Sequence, residues 1–135
     1  MTQEHKELLL KDLCARLPYG VKIELTWWVM GEGTYINTTI EPDHIEQLLN
    51  DKDGNIEIKP YLFPLSSMTE EQKQEYTYIV NYISSDDTEN WKEGEFIYVE
   101  QFTKLMRFYY MNHLDYMGLI PLGLAKDASG LDIYE

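Results

Sequence analysis

An α+β fold is what this sequence predicts, and three observations predict it. Residues 21–26 alternate, with Val21, Ile23 and Leu25 apolar and Lys22, Glu24 and Thr26 polar, the pattern of a half-buried strand. Tyr35 to Ile40 is a second β-rich run, and Ile56 and Ile58 alternate with Glu57 and Lys59 in a third. Apolar residues at helical spacing then dominate two longer stretches, about 69–84 and 100–114. The expected architecture is a small bent antiparallel sheet or an SH3-like barrel over about 19–60. It packs with an N-terminal helix and two longer helices in a single domain: helix 1–17, β-rich half 18–62, helical half 63–135.

The N-terminal helix is expected over residues 3–16. Leu9, Leu13 and Leu17 form its stripe, Leu10 and Cys14 lie on an adjoining row, and Glu4, Lys6, Glu7, Lys11 and Asp12 stay polar. Pro18, Tyr19 and Gly20 end it. The first strand extends through Trp27, Trp28 and Val29 to a turn at Gly31-Glu32-Gly33, and the second pairs antiparallel with it. Residues 42–50 admit either structure: Ile45, Leu48 and Leu49 have helical spacing and Pro42 suits a helix start, yet a strand also fits. A turn at Asp53-Gly54 leads into Ile56–Lys59, where Pro60 and Pro64 should stop ladder pairing because neither carries an N–H.

Thr69 with Gln72 has the form of a capping box, and Glu70 and Glu71 suit the positive end of a helix dipole. That helix turns Tyr76, Ile79, Val80 and Ile83 inward. Residues 84–95 read as a polar acidic loop around Trp91, and 95–99 as a brief strand. The last helix presents Phe102, Leu105, Met106, Tyr109 and His113 on one face. The tail reads as an ordered loop that lays Leu119, Ile120, Leu122 and Leu124 on the core and then frays.

At 135 residues the chain is one ordinary domain, able to bury roughly two-thirds of its unfolded surface without staples. Cys14 is the only cysteine, so no internal disulfide forms and a reducing, cytoplasmic compartment is expected. No apolar run approaches the ~20 residues of a membrane span, and the N-terminus is unlike a signal peptide. A net charge of −13 disfavours generic binding to nucleic-acid backbones or anionic membranes. Residues 41–59 carry six acids against two lysines, and residues 84–95 five against one. That surface suits a basic protein partner, with Asp86, Asp87, Glu89, Trp91 and Glu93 as a candidate interaction surface. Trp27, Trp28 and Tyr61 are a candidate aromatic patch, drawn from an aromatic supply with Tyr35 and Trp91 of which most is expected to be core.

Motifs for catalysis are missing: no phosphate-cradling glycine loop, no Cys-x-x-Cys, no His-Glu-x-x-His and no Gly-x-Ser-x-Gly. His113 with Asp115 is the nearest approach to a catalytic or metal pair, and a helix-end capping role is favoured for that histidine. Asp43-His44 is equally weak. Asp51, Asp53 and Asn55 alternate like the start of a calcium loop, but Gly54 is misplaced and no closing glutamate follows, so a solvated turn is expected. No cofactor or metal is expected.

Three blocks are long and irregular enough to be specific: Leu13–Lys22 (LCARLPYGVK), Ile58–Gln72 (IKPYLFPLSSMTEEQ) and Asn112–Ala125 (NHLDYMGLIPLGLA). In that order they resemble a family of small acidic proteins common in gut anaerobic bacteria, their prophages and mobile elements. The blocks cover about forty of the 135 residues. The resemblance carries no activity and implies a phage-related accessory role. The leading expectation is therefore a non-enzymatic protein-interaction protein with an acidic surface. The alternatives are an SH3-like module for a small ligand or nucleic-acid-associated binding, and a small hydrolase or metal enzyme built on His113 and Asp115.

Overall fold

A computed structural model describes residues 2–29, 31–84 and 91–134, with the backbone alone described for Val29, residues 82–84 and 91–99, and Gln101. The elements run α1 (Gln3–Arg16), β1 (Lys22–Val29), β2 (Glu32–Thr39), α2 (Pro42–Asn50), β3 (Ile56–Leu62), α3 (Glu70–Ser84), α4 (Trp91–Met111) and β4 (Lys126–Asp127), with short 3-10 turns at Leu17–Tyr19 and Leu65–Ser67. The expected α+β composition is found. The sheet is open and mixed, in the order β2-β1-β3-β4: β1 pairs antiparallel with both β2 and β3, and β4 pairs parallel with β3. An open edge on β2 is the consequence, and among the described residues the sheet does not close into a barrel.

Local chemistry sets most boundaries. Thr2 Oγ1 accepts from the His5 N–H at 3.1 Å and caps α1. Residues 42–50 are helical, with Pro42 in the first turn and His44 Nδ1 accepting from the Glu41 N–H at 3.0 Å. The capping box before α3 forms in both directions: Gln72 N–H to Thr69 Oγ1 at 3.2 Å, and Thr69 N–H to Gln72 Oε1 at 2.9 Å. Asp51 ends α2 by accepting from the N–H groups of Asn55 and Ile56, each at 3.0 Å, so the alternating Asp51, Asp53 and Asn55 form a turn.

Several expectations are corrected. Glu32 and Gly33 belong to β2, because Val29 pairs directly with Glu32 across a two-residue connection. β3 continues through Pro60, which pairs with Ile23. Trp28 donates its N–H to the Asn55 carbonyl at 2.8 Å, and bonded pairs alternate from there, so Pro60 faces β1 at a non-bonded pair where no N–H is needed. Residues 95–99 are helical, and α4 begins well before residue 100. Cys14 is exposed, and Asp12 is buried instead, because α1 turns Leu9, Asp12, Leu13 and Arg16 inward. On α4, Phe108 and Tyr109 are buried while Phe102 is exposed.

Among the described residues two apolar clusters form the core. The larger gathers Leu9 and Leu13 of α1, Val21, Ile23 and Leu25 of the first strand region, Ile45 and Leu48 of α2, Ile58 and Leu62 of β3, and Leu119 and Leu124 of the tail. The smaller joins Ile79 of α3 to Phe108, Tyr109 and Leu114, with Phe63, Met68, Tyr76 and Tyr116 around them. Backbone bonds stitch the two: the Phe63 N–H donates to the His113 carbonyl at 2.8 Å and the Asp115 N–H to the Phe63 carbonyl at 2.9 Å. The tail does not fray as far as Tyr134. Its hydroxyl accepts from the Lys22 N–H at 2.8 Å and donates to the Tyr61 carbonyl at 2.6 Å. Lys22 and Tyr61 are the next bonded pair in the β1–β3 register, so the phenol hydroxyl stands in for a ladder hydrogen bond.

Candidate functional site

Arg16 of the first block forms a buried ion pair with Asp12 and reaches the third block at Leu114, and Phe63 of the second block bonds to His113 and Asp115 on either side of Leu114. Arg16 Nε donates to Asp12 Oδ2 at 2.8 Å, and neither side chain has any solvent exposure. Arg16 Nη2 donates to the Leu114 carbonyl at 2.6 Å, and the guanidinium sits 5.4 Å and 5.9 Å from the ring centres of Tyr110 and Tyr116. Burial pushes the Asp12 carboxyl above its ordinary range, against the pull of Arg16. His113 follows the end of α4 with φ 53°, in the left-handed region. Its ring stacks on Tyr134 at 3.9 Å, and burial, aided by the Arg16 charge, lowers its pKa to about 4. Asp115 accepts from the N–H groups of Leu119 and Ile120 at 2.7 and 2.9 Å. His113 and Asp115 thus come near Arg16: the Asp115 carboxylate is committed to the turn at Leu119 and Ile120, and His113 is half-buried against Tyr134.

The aromatic candidates separate. Trp27 packs against the larger core, whereas Trp28 lies on the opposite, outer face of the sheet and is 45% exposed. Tyr61 shares that outer face but is buried, and stands six ladder positions from Trp28, roughly 20 Å along the strands. Its hydroxyl lies 2.8 Å from Asn37 Oδ1 and 3.3 Å from Glu24 Oε2, and Glu24 also accepts from Lys126 Nζ at 2.7 Å. That network ties one residue from each of the four strands. Trp28 finds a different neighbour. Its indole covers Gly33, where an added Cβ would fall 2.6 Å from the ring, and diagonal to it across the hairpin stands Tyr35, 67% exposed.

Acidic groups gather at the same end of the sheet. The Trp28 N–H bond to Asn55 brings the 51–55 turn beside the hairpin, and an open cleft of about 650 Å³ between that turn and α2 is lined by Asp43, Glu46, Asp51 and Asp53 with Lys52. A second cleft, of about 600 Å³, lies between α1, α2 and β3, with Leu9, Leu48 and Ile58 at its floor and Lys6, Lys52 and Lys59 around it. Among the described residues no group of acids, histidines and cysteine has the arrangement of a metal site. Asp86, Asp87 and Glu89 lie outside the described residues, and Trp91 and Glu93 open α4 in a part described by backbone alone.

No protein-family model, curated protein or solved structure matches this chain. The site therefore rests on its own geometry. The placement of Trp28 and Tyr35 on one face was within reach of the sequence: a two-residue connection after Val29 puts residues 28 and 35 there by strand alternation alone. A turn at residues 31–33, as the glycines there suggest, obscures that placement. The buried role of Asp12 had no local signal, since an acid four residues before an arginine is the ordinary pattern of an exposed helical pair.

Proposed function

We propose that this is a non-enzymatic interaction protein that acts in the cytoplasm and captures a basic protein partner at the acidic, aromatic end of its sheet. The observation that carries the reading is the exposure of Trp28 and Tyr35 on the outer face of the sheet, at the end where the 51–55 turn leads into β3, with the cleft of Asp43, Glu46 and Asp53 on the α2 side of that turn. Large aromatics supply contact area and accept cations over their ring faces, and flanking carboxylates steer a basic segment toward them. The resemblance of the three blocks supports an accessory role of phage or mobile-element origin. In this reading the blocks themselves are packing units, tied to one another by Arg16 with Leu114, Phe63 with His113 and Asp115, and Gln72 with Asn112.

A salt series tests it. Tagged protein incubated with host lysate should retain a basic partner at low salt and release it by several hundred millimolar. Replacing Asp43, Glu46 and Asp53 by their amides should weaken retention in the same direction. Retention indifferent to both salt and these substitutions overturns the electrostatic reading. A second reading, a small-ligand module, is favoured by the lysine-ringed cleft between α1, α2 and β3. It predicts a thermal shift with amphipathic anions that Lys6→Met and Lys59→Met together abolish.

A further inference from the structure

Among the described residues, the strand β2 is an unprotected sheet edge. Natural edges are guarded by proline, lysine, bulges or a covering element, and Glu32–Thr39 has none of the first three: its sequence is EGTYINTT and its register with β1 is unbroken. Residues 32–37 are all exposed. The free backbone groups can be placed. Ile40 donates its N–H to the Val21 carbonyl at 2.9 Å, so by alternation Thr34, Ile36 and Thr38 bond to β1, and Gly33, Tyr35, Asn37 and Thr39 turn their N–H and C=O groups outward.

We propose that this edge pairs with β2 of a second copy, antiparallel and centred on Ile36. That register sets Tyr35 opposite Asn37 of the second copy and Gly33 opposite Thr39, and these are the residues whose backbone groups point outward, so every such group finds a partner. It also keeps strand alternation in phase: the outer faces of the two sheets lie on one side, and Ile36, 44% exposed in the single chain, packs against its own copy on the other. Charge favours the same arrangement. The chain carries −13 overall, and any docking of two copies must find a stretch that avoids this repulsion. β2 holds one charged residue, Glu32 at its end, and the antiparallel register sends the two copies of Glu32 to opposite ends of the ribbon. A parallel pairing would set them together. The dimer goes beyond the proposed capture of a basic partner and is independent of it in its test, although it would place Trp28 and Tyr35 of both copies on one continuous face.

Sedimentation and amide exchange on the purified chain, with no partner added, decide the matter. The expected result is a species of twice 16.0 kDa at high concentration that dissociates on dilution. In the dimer the Gly33, Tyr35 and Asn37 amides should exchange slowly, and in the diluted monomer quickly, while Thr34, Ile36 and Thr38 stay slow in both. Ile36→Lys sets two ammonium groups opposite each other at an exposed position and should give a folded monomer, with unchanged circular dichroism. A chain monomeric at every concentration overturns the proposal, as does a dimer whose Gly33, Tyr35 and Asn37 amides remain fast or which Ile36→Lys leaves intact.

Discussion

Arg16 concentrates the structural cost of this fold in one side chain. It is shut away from water with Asp12, reaches across to the Leu114 carbonyl, and leaves Arg16 Nη1 and Asp12 Oδ1 buried without a protein partner. Removing one member of such a pair strands a charge in a medium that cannot solvate it, at a cost of about 3–5 kcal/mol. Arg16→Met should therefore lower urea stability by that order, and adding Asp12→Leu should restore most of it. A double variant as unstable as the single one would contradict this account of the pair. His113 makes a second prediction. Its pKa is lowered from 6.5 to about 4, so the unfolded chain takes up a proton that the folded chain refuses. Stability from this group is complete above the unfolded value and is lost as pH falls through the window from 6.5 to about 4. The whole shift would correspond to roughly 3 kcal/mol, and partial access of the ring to water reduces this to about 1–2 kcal/mol. His113→Asn, which keeps a residue tolerant of the left-handed backbone, should flatten that part of the profile when unfolding is followed against pH. The spacing of Asp12 and Arg16 was visible in the sequence, but their burial depends on a carbonyl 98 residues away, and no local pattern reports that.

At the scale of elements the sheet is closed by a side chain. The Tyr134 hydroxyl joins the Lys22 N–H to the Tyr61 carbonyl where β1 and β3 part. Tyr134→Phe leaves both groups without that partner in a half-buried place, so a loss of about 1–3 kcal/mol is expected, with faster exchange at the Lys22 amide. An unchanged Lys22 amide would mean that the tail does not hold the ladder. The hairpin tests differently. A Cβ at Gly33 meets the Trp28 ring at 2.6 Å, and because an exposed indole can swing aside, Gly33→Ala should cost under about 1 kcal/mol. It should still shift the tryptophan emission to the red. Helices whose caps and apolar stripes agree, α1 and α3, were legible to within a residue or two. The strand through Pro60 was not, because whether a proline fits a ladder depends on which edge of the strand its nitrogen faces, a property of the pairing partner. The 95–99 stretch failed for a related reason: alternation over five residues satisfies both strand and helix, and its membership of a 21-residue helix, α4, decides it.

For the whole molecule, the charge of −13 is the strongest constraint that composition supplies, and it limits partners more than it names them. The fold adds where that charge meets exposed aromatic surface: the end of the sheet beside the 51–55 turn. No helix of the described residues is long and apolar enough to cross a membrane. The three irregular sequence blocks hold the two apolar clusters together through the bonds of Phe63 to His113 and Asp115, while the surface proposed for binding lies in the hairpin between the first two blocks. The most direct measurement is a mass-spectrometric comparison of what the wild type and the Trp28→Ala, Tyr35→Ala double variant retain from host lysate at low salt. The account predicts one basic protein held near stoichiometry by the wild type and lost from the double variant, with both chains equally stable to urea. Equal retention by the two, or no retained protein with the wild type, would contradict it.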